Sequence, residues 1–265
     1  MDHSDHRTQA LSFGAAAAAY QRGRPPYPAE AIDWLIPATA RRVLDLGAGT
    51  GKLTGQLYER GLDIIAVEPD ERMRAELARR LPDVPALPGS AEAIPLPDDS
   101  VNAVVAAQVW HWVDPERALP EIARTLTPHG TLSLVWNTHD DREDWVSGLD
   151  RILHPRRTPR TTSVGIGIEA VRPPFAPLQY HTVEWRHRLS RTELIDLVTS
   201  GSSVITLPPA DRTALLAEVR AFCDTHPALA DADEIAMPYV THCYRTRLRS
   251  HFGKWLGMRS SRPGQ

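Results

Sequence analysis

Short, largely apolar runs alternate with segments of helical periodicity along the first half of the chain. The apolar runs cover Val43–Leu46, Leu62–Val67 and Val101–Ala107. Such runs are typical of strands that are buried on both faces of a parallel sheet. Apolar positions at helical spacing follow the first two runs, over Leu53–Arg60 and Glu71–Arg80. This alternation predicts an α/β fold with a mostly parallel sheet.

The second half of the chain has a different pattern. Residues 137–177 are rich in Arg, Pro, Thr and Gly, apart from a short helical stretch around Trp145–Leu153. Beyond them, Leu178–Leu189 and Ile235–Leu248 alternate between apolar and polar residues in the manner of strands, and Ala210–Phe222 fits a helix. We therefore expect the sheet to end with antiparallel strands.

Length, charge and cysteine content exclude several classes of protein. A net charge of −3 over 265 residues does not suggest a nucleic-acid binder. Two cysteines are too few for a disulfide framework, and the eleven histidines fall in no metal-ligand spacing. No secretory signal and no apolar run long enough to span a membrane are recognisable. We expect a cytoplasmic protein without a metal site, and its oligomeric state stays open.

The turn after the first strand carries glycine at every second position, at Gly47, Gly49 and Gly51. Glycine lets the backbone approach a ligand closely and adopt positive φ. The helix that follows presents free N–H groups to electron-rich atoms. We interpret the turn as a binding loop for a nucleotide-type ligand, with a glycine-rich turn that binds nothing as the alternative.

Two phosphate-binding patterns fit this turn poorly. A P-loop needs G-x-x-x-x-G-K-[ST], but the span from Gly47 to Gly51 is one residue too short, and Leu53 stands where Ser or Thr should follow. A dinucleotide fingerprint needs a third glycine at the position that Lys52 occupies. The chemistry of the turn thus excludes the P-loop, and the dinucleotide fingerprint is weakened.

Glu68 lies at the end of the second strand, about 20 residues beyond the first glycine. At this position α/β nucleotide folds place the carboxylate that binds ribose hydroxyls, although a solvated strand-end carboxylate fits as well. Pro69 follows, and Met73 on the next helix is placed to lie near an adenine. A single methionine at helical spacing fits an apolar core equally well.

Further motifs follow in a fixed order. Gly89–Val105 matches G-x-A-E-x-[IL]-P-[FL]-P-D-x-S-[FV]-D-x-V, with Asn102 in place of the second aspartate. The fourth strand leads to Gln108–Trp112. An E-x-x-R-x-L-x-P-x-G segment, with His129 in place of a glycine, precedes a predicted strand over Thr131–Trp136. Together with the acidic-x-G-x-G-x-G turn, these motifs resemble class I S-adenosylmethionine-dependent methyltransferases of the type 11 branch.

The resemblance covers residues 13–137 and implies a Rossmann-like class I methyltransferase fold. This fold is a seven-stranded, mostly parallel sheet of order 3-2-1-4-5-7-6, with antiparallel last strands and helices on both faces. The resemblance also implies S-adenosyl-L-methionine as cofactor and S-adenosyl-L-homocysteine as its product. The implied cofactor-binding residues are Tyr20, Arg24, Asp45, Gly47, Ala48, Gly49, Gly51, Glu68, Pro69, Met73, Ser90, Ala91, Glu92 and Gln108.

Some of these residues have more specific roles in the family. The residue at Asp45 acts, directly or through water, on the amino group of the methionine moiety, and those at Ala91 and Glu92 flank the adenine. Glu92 also fits a carboxylate that complements the start of a helix.

An F-x₆-Y-x₃-R-P-x-Y-P segment that includes Tyr20 and Arg24 resembles a lid in the same branch, seen in relatives similar to trans-aconitate methyltransferases. An aromatic ring suits the sulfonium cation of the cofactor, and simple surface packing is the alternative for Tyr20. The expected organisation is a lid segment 1–30, a cofactor-binding core 31–137, and a part 138–265 that shapes the substrate site and completes the sheet, all within one domain.

The expected chemistry is a direct displacement of the methyl group, for which the protein aligns a small-molecule acceptor and excludes water. His111 is the candidate general base, which a phenol or amine needs and a carboxylate does not; a role in shaping the pocket is the alternative. Trp110, His111 and Trp136 are expected to contact the acceptor. Aromatic content favours an apolar acceptor, whereas Arg156, Arg157 and Arg160 favour a carboxylate. The alternative functions are a catalytically idle protein that binds S-adenosylmethionine or a partner, and a nicotinamide-dependent oxidoreductase.

Overall fold

The computed structural model describes residues 24–155, 165 and 167–249. Strands and helices alternate through the first half of the chain, as the periodicity predicts. The strands are β1 (Arg42–Leu46), β2 (Asp63–Val67), β3 (Ala86–Leu87), β4 (Val101–Ala107), β5 (Leu126–His139), β6 (Gln179–Leu189) and β7 (Ile235–Arg247). The helices are α1 (Ala29–Leu35), α2 (Lys52–Tyr58), α3 (Glu71–Arg80), α4 (Pro115–Thr125), α5 (Asp144–Leu153), α6 (Arg191–Thr199), α7 (Ser202–Ile205) and α8 (Pro209–Thr225), with 3-10 turns at Trp110–Trp112 and Ile168–Ala170.

The seven strands form one sheet in the order β3-β2-β1-β4-β5-β7-β6. The pairs among β1 to β5 are all parallel. β7 lies between β5 and β6 and runs antiparallel to both of them. The structure confirms the fold class and the strand order that the resemblance implies.

The central strands are buried on both faces because successive side chains point to opposite sides of the sheet. Leu44 and Leu134 pack with Ile122 of α4 on one face. Val43 and Val135 pack on the other face, in the cluster that α1, α2 and α3 cover. Burial on both faces explains why these strands read as nearly continuous apolar runs in the sequence.

The second half of the chain contributes a third apolar cluster. Trp145 of α5, Leu194 of α6 and Val219 of α8 pack there with Tyr239 of β7. Helix α6 begins with a capping box, in which the Ser190 hydroxyl and the Glu193 carboxylate each bind the other residue's backbone N–H. These helices form a cap on one face of β6 and β7.

β5 is longer than the predicted strand Thr131–Trp136, because the chain pairs with β4 as soon as α4 ends. An irregularity in the β4–β5 register takes up the extra residues, and His129 lies there at a φ of +64°. That left-handed conformation favours glycine, which explains the glycine of the resembling motif. Asn102 accepts hydrogen bonds from the backbone N–H groups of Arg41 and Arg42 through its side-chain oxygen.

Over the residues that the structure describes, none of the helices combines the length and the apolar character needed to cross a membrane. In the same part of the chain no three His, Cys, Asp or Glu side chains gather in a way that could hold a metal ion.

Candidate active site

The glycine turn connects the carboxyl end of β1 to α2 and is tied to the end of β2. The N–H groups of Gly47 and Ala48 both donate to the carbonyl of Val67 (2.8 and 3.1 Å). Gly47, Gly49 and Gly51 all have positive φ. A Cβ on Gly51 would lie 2.8 Å from Leu77, whereas a Cβ on Gly49 would meet only the sulfur of Met73, at 3.8 Å. The backbone at Gly49 is therefore the part of the turn that a ligand can approach.

Glu68 is bound to the turn and to the next helix. One of its carboxylate oxygens accepts from the N–H of Gly49 (2.8 Å) and the other from the N–H of Asp70 (2.9 Å). Burial raises the pKa of Glu68, and these two hydrogen bonds oppose the rise. The predicted contact of Glu68 with ribose hydroxyls stays a prediction, but the carboxylate lies beside the turn, as that contact requires.

Asp45 is buried under the same turn, with 1 % of its surface exposed. Its Oδ2 accepts a hydrogen bond from the hydroxyl of Thr54 (2.6 Å), while Oδ1 has no hydrogen-bond partner among the described residues. Burial raises the pKa of Asp45 to about 7, and the charge of Glu68 adds to the rise. A buried carboxylate oxygen of this kind fits a cationic donor such as the amino group of a methionine moiety.

The start of α3 places Met73 against the glycine turn. The Asp70 side chain caps the helix by accepting from the N–H groups of Arg72 and Met73. Met73 is 6 % exposed, and Pro69 is exposed at the surface. The structure thus keeps Met73 within reach of a ligand on the turn, while its contact with an adenine stays a prediction.

The segment after β3 shows a structural role for Glu92. Its carboxylate accepts a hydrogen bond from the N–H of Asp114 (2.9 Å), the residue that caps α4. Ser90 pairs with Ala93 through two backbone hydrogen bonds, and Ala91 is buried. These contacts support the alternative interpretation of Glu92 as a carboxylate at a helix start, and its contact with adenine stays a prediction.

Sequence reasoning missed the residues that hold this segment in place. Arg124 of α4 donates to the carbonyls of Ile94 and Leu96 and to the carboxylate of Asp98. Glu121, one turn earlier, accepts from the N–H of Ile94 and pairs with Arg124. The E-x-x-R spacing in the sequence is the signal that could have identified this clamp, since residues three apart lie on one helix face.

The carboxyl ends of β4 and β5 meet at Gln108, which has a φ of +58°. Its backbone N–H donates to Val135, and its side-chain amide donates to the carbonyl of Asn137 (3.0 Å). Asn137, which the sequence analysis did not single out, also donates to the carbonyl of Pro26 and accepts from the hydroxyl of Thr241. This asparagine therefore joins the N-terminal segment to three strands at the edge where the site lies.

The two tryptophans predicted to contact the acceptor are packed inside the protein, each with 1 % of its surface exposed. The indole N–H of Trp110 donates to the carbonyl of Gly167 (3.2 Å), and Trp136 packs edge-on against Tyr244. Both belong to the core cluster on the α4 face. The structure gives them a packing role, and it offers an acceptor little of their surface in this conformation.

His111 lies just after β4 on the 3-10 turn and is half-buried beside Trp112, with ring centroids 4.7 Å apart. Its place at the carboxyl edge of the sheet agrees with a role next to the acceptor, because α/β folds bind ligands at this edge. Its function as a base stays a prediction.

Arg24 begins the described part of the N-terminal segment. Its guanidinium donates to the carbonyl of Ser200 (3.3 Å), and its charge acts on His139 and Tyr239 at the ends of β5 and β7. Burial lowers the pKa of His139 to about 4. Tyr20 and the Arg156–Arg160 cluster lie outside the described residues.

Taken together, the strand order, the glycine turn and the two buried carboxylates define an α/β protein that binds a nucleotide-type cofactor at the carboxyl edge of a parallel sheet. Residues 44–134 match the methyltransferase domain model of the type 11 family. An uncharacterized methyltransferase of Mycobacterium tuberculosis is 54 % identical over 242 residues, which are 91 % of this chain and 98 % of the relative. The chain belongs to the S-adenosylmethionine-dependent methyltransferase family.

Two solved structures illustrate the shared fold. A protein of Anaeromyxobacter dehalogenans described as a type II methyltransferase superposes with a TM-score of 0.67 at 26 % identity, over 86 % of this chain and 99 % of that one. A phosphoethanolamine N-methyltransferase of Haemonchus contortus, solved with S-adenosylhomocysteine, gives a TM-score of 0.55 at 14 % identity, over 94 % and 60 %. S-adenosylmethionine is the cofactor of this chain, and the chain is a methyltransferase.

Proposed function

We propose that the protein transfers the methyl group of S-adenosylmethionine to a small-molecule acceptor. The observation that carries the cofactor half of this proposal is the pair of buried carboxylates at the glycine turn. Asp45 has an oxygen without a partner, and Glu68 is held in place by backbone N–H groups. A ligand that brings an ammonium group and ribose hydroxyls supplies the donors that this pair can accept.

The enclosed geometry of the strand ends supports a small acceptor. Asn137 binds the carbonyl of Pro26, and Tyr27 exchanges two hydrogen bonds with the side chain of Gln56 on α2. The N-terminal segment is thereby tied across the carboxyl edge of the sheet, while the cap helices close the side of β6 and β7. An acceptor must fit between these elements, which favours a metabolite over a macromolecule.

We propose the following roles for individual residues. When bound, S-adenosylmethionine would supply an activated methyl group on its sulfonium: the nucleophile of the acceptor would bond to the methyl carbon as the carbon–sulfur bond breaks, and S-adenosylhomocysteine would leave. As the resemblance implies, Tyr20 and Arg24 belong to a lid segment that excludes water, and His111 takes a proton from a phenol or amine acceptor. Gln108 positions the loop that carries His111 by joining it to β5.

We also propose that residues 1–30 serve as a lid, residues 31–137 as the cofactor-binding core and residues 138–265 as the part that shapes the substrate site and completes the sheet. The cap helices form their own apolar cluster, whereas β6 and β7 complete the common sheet. One sheet shared by strands of the second and third parts supports a single domain.

Isothermal titration calorimetry tests the cofactor half of the proposal. We expect micromolar binding of S-adenosylhomocysteine and no binding of NAD or ATP under the same conditions. Tight binding of NAD without binding of S-adenosylhomocysteine would contradict the proposal and favour a nicotinamide-dependent oxidoreductase.

A panel of carboxylates, phenols and amines, with release of S-adenosylhomocysteine as readout, tests the acceptor half. Turnover of one chemical class identifies the acceptor atom. If labelled methyl never leaves the cofactor with any small molecule, although the cofactor binds, the small-acceptor proposal is wrong and a cofactor-binding protein without catalysis replaces it.

A further inference from the structure

A cavity lies at the amino ends of the parallel strands, opposite the ends that carry the glycine turn. It has a volume of about 320 Å³ and is lined by Thr131 near the start of β5, by Arg245 and Arg247 near the end of β7, and by Gln179 at the start of β6. Thr131 and Asn137 are six residues apart on β5, so this cavity is about 20 Å from the candidate active site. No aspartate or glutamate is among its lining residues.

Arg245 is held in place by neutral groups. Its guanidinium donates to the carbonyl of Trp34 (2.6 Å) and to the side-chain oxygen of Gln179 (3.0 Å), and it lies 4.6 Å from the centre of the Trp34 ring. These contacts fix the orientation of the guanidinium without neutralising its charge. A group that is oriented in advance loses little entropy when it binds a ligand.

Arg247 lies two residues further along β7, on the same face of the sheet as Arg245. In the part of the chain that the structure describes, it forms no ion pair with a carboxylate. Burial lowers the pKa of Arg245, and the positive charge of Arg247 lowers it further. Two guanidinium groups thus share one cavity that no aspartate or glutamate side chain lines.

Thr131 supplies a third polar group. It faces Arg247 directly in the β5–β7 ladder, and its buried hydroxyl has no hydrogen-bond partner among the described residues. A buried hydroxyl without a partner is uncommon, because leaving it unpaired costs free energy. The cavity therefore combines two unneutralised cations with an unsatisfied hydroxyl at its floor.

We propose that this cavity binds a small organic anion, whose carboxylate or phosphate group is held by Arg245 and Arg247. The fork of donors on a guanidinium matches both groups. A cavity of about 320 Å³ is at the small end of the range for ligand pockets, which suits a metabolite and excludes a polymer. The proposal does not depend on the proposed acceptor, because the cavity and the candidate active site lie at opposite ends of the parallel strands.

Calorimetry with two probes, citrate and inorganic phosphate, tests the site at constant ionic strength set with sodium chloride. We expect the wild-type protein to bind at least one probe, and the stronger probe shows whether carboxylate or phosphate is preferred. Arg247→Gln should weaken that binding by about 10- to 100-fold, and Arg247→Glu should abolish it.

Arg220→Gln, an exposed arginine of α8 away from the cavity, is the matched control and should bind like the wild type. The unfolding temperature without probe and the affinity for S-adenosylhomocysteine should be the same in the wild type and in the three variants. These two measurements separate the loss of anion binding from misfolding and from a damaged cofactor site. The proposal is overturned if neither probe binds the wild-type protein at millimolar concentration. It is also overturned if Arg220→Gln weakens binding as much as Arg247→Gln does.

Discussion

The two halves of the carboxyl edge are built by different means. Around β1 and β2, polar side chains bind backbone groups at short distances, as Glu68 does with Gly49 and Asp70. Around β5, β7 and β6, the contacts join residues that are distant in the sequence, as the hydrogen bond of Asn137 with Thr241 and the stacked rings of Trp185 and Tyr239 do. The first kind of structure leaves sequence motifs and the second does not, which is why the cofactor could be inferred and the acceptor could not.

The pKa values of the two halves differ as well. Asp45 has a pKa raised to about 7, so it changes charge near neutral pH. His139, whose imidazole contacts the hydroxyl of Tyr239 at 3.1 Å, has a pKa lowered to about 4 and stays neutral. The cofactor half can therefore respond to pH in the physiological range through Asp45, whereas His139 in the other half cannot.

The largest effect is expected from His111→Ala, which acts at the boundary between the two halves. If the acceptor is a phenol or amine, turnover should fall by about 10²–10⁴-fold, because the variant removes the base. The affinity for S-adenosylhomocysteine should stay nearly unchanged. At saturating S-adenosylmethionine, where the titration of Asp45 no longer limits binding, the pH–rate profile should lose its ascending limb; a limb that persists in the variant under these conditions would assign the base to another residue.

Glu68→Gln should weaken binding of S-adenosylhomocysteine by about 10- to 100-fold, because the variant removes charge-assisted hydrogen bonds in the cofactor half. Calorimetry measures the effect. Glu71→Gln is the matched control, since Glu71 is an exposed carboxylate in the first turn of α3. Equal affinities in Glu68→Gln and in the wild type would place the cofactor elsewhere.

Asp45 should make cofactor binding depend on pH. Without cofactor its pKa is about 7, whereas an unfolded aspartate has a pKa of about 3.9. The folded protein therefore holds an extra proton between these values, and the contribution of Asp45 to the free energy of unfolding falls as pH rises through this window. A bound ammonium group favours the ionised form, so S-adenosylhomocysteine should bind about tenfold more weakly at pH 6 than at pH 8.

The Asp45→Asn variant provides the control for this pH dependence. It should bind S-adenosylhomocysteine more weakly than the wild type, with nearly the same affinity at both pH values. At pH 8 and without cofactor, it should unfold at a higher temperature than the wild type, because no buried charge has to be maintained. A wild-type affinity that is the same at pH 6 and pH 8 would contradict the predicted role of Asp45.

The smallest effect is expected from a pair of threonine substitutions that compares two ends of the sheet. Thr241→Val removes a buried hydroxyl that donates to Asn137 and accepts from Trp185, so it should destabilise the protein by about 1–3 kcal/mol. Thr131→Val removes a buried hydroxyl without a partner and should be neutral or stabilising by up to about 1 kcal/mol in chloride buffer. If Thr131→Val and Thr241→Val lower the free energy of unfolding equally in urea titrations, the hydroxyl of Thr131 has a hydrogen-bond partner.

Much of the fold could be predicted because the cofactor half follows local rules. The helix Glu71–Arg80 and the strand Val101–Ala107 have the predicted bounds, since their periodicity is complete within each segment. The glycine turn and Glu68 lie where their spacing predicts. The strand order came from the resemblance alone, because periodicity carries no information about which strands are neighbours.

The remaining features depend on contacts between distant residues. Asn137 binds Pro26, 111 residues away in the sequence, and no local pattern indicates this contact. The indole N–H of Trp110 donates to the carbonyl of Gly167, which lies in a segment without periodicity, so no local pattern indicates this contact either. The extension of β5 beyond its predicted ends likewise depends on pairing with β4 and β7.

The position of β7 inside the sheet has a consequence for how the protein folds. This strand pairs with β5, whose residues precede it by about a hundred positions, and with β6, which lies some fifty positions before it. Such non-local pairings slow folding, because the entropy of closing long loops is lost before the strand contacts form and stabilise the sheet. Until residues 235–247 have left the ribosome, β5 keeps the edge that β7 will cover unpaired, and β6 has no partner strand in the sheet. That interval is when the nascent chain is most exposed to aggregation through open strands.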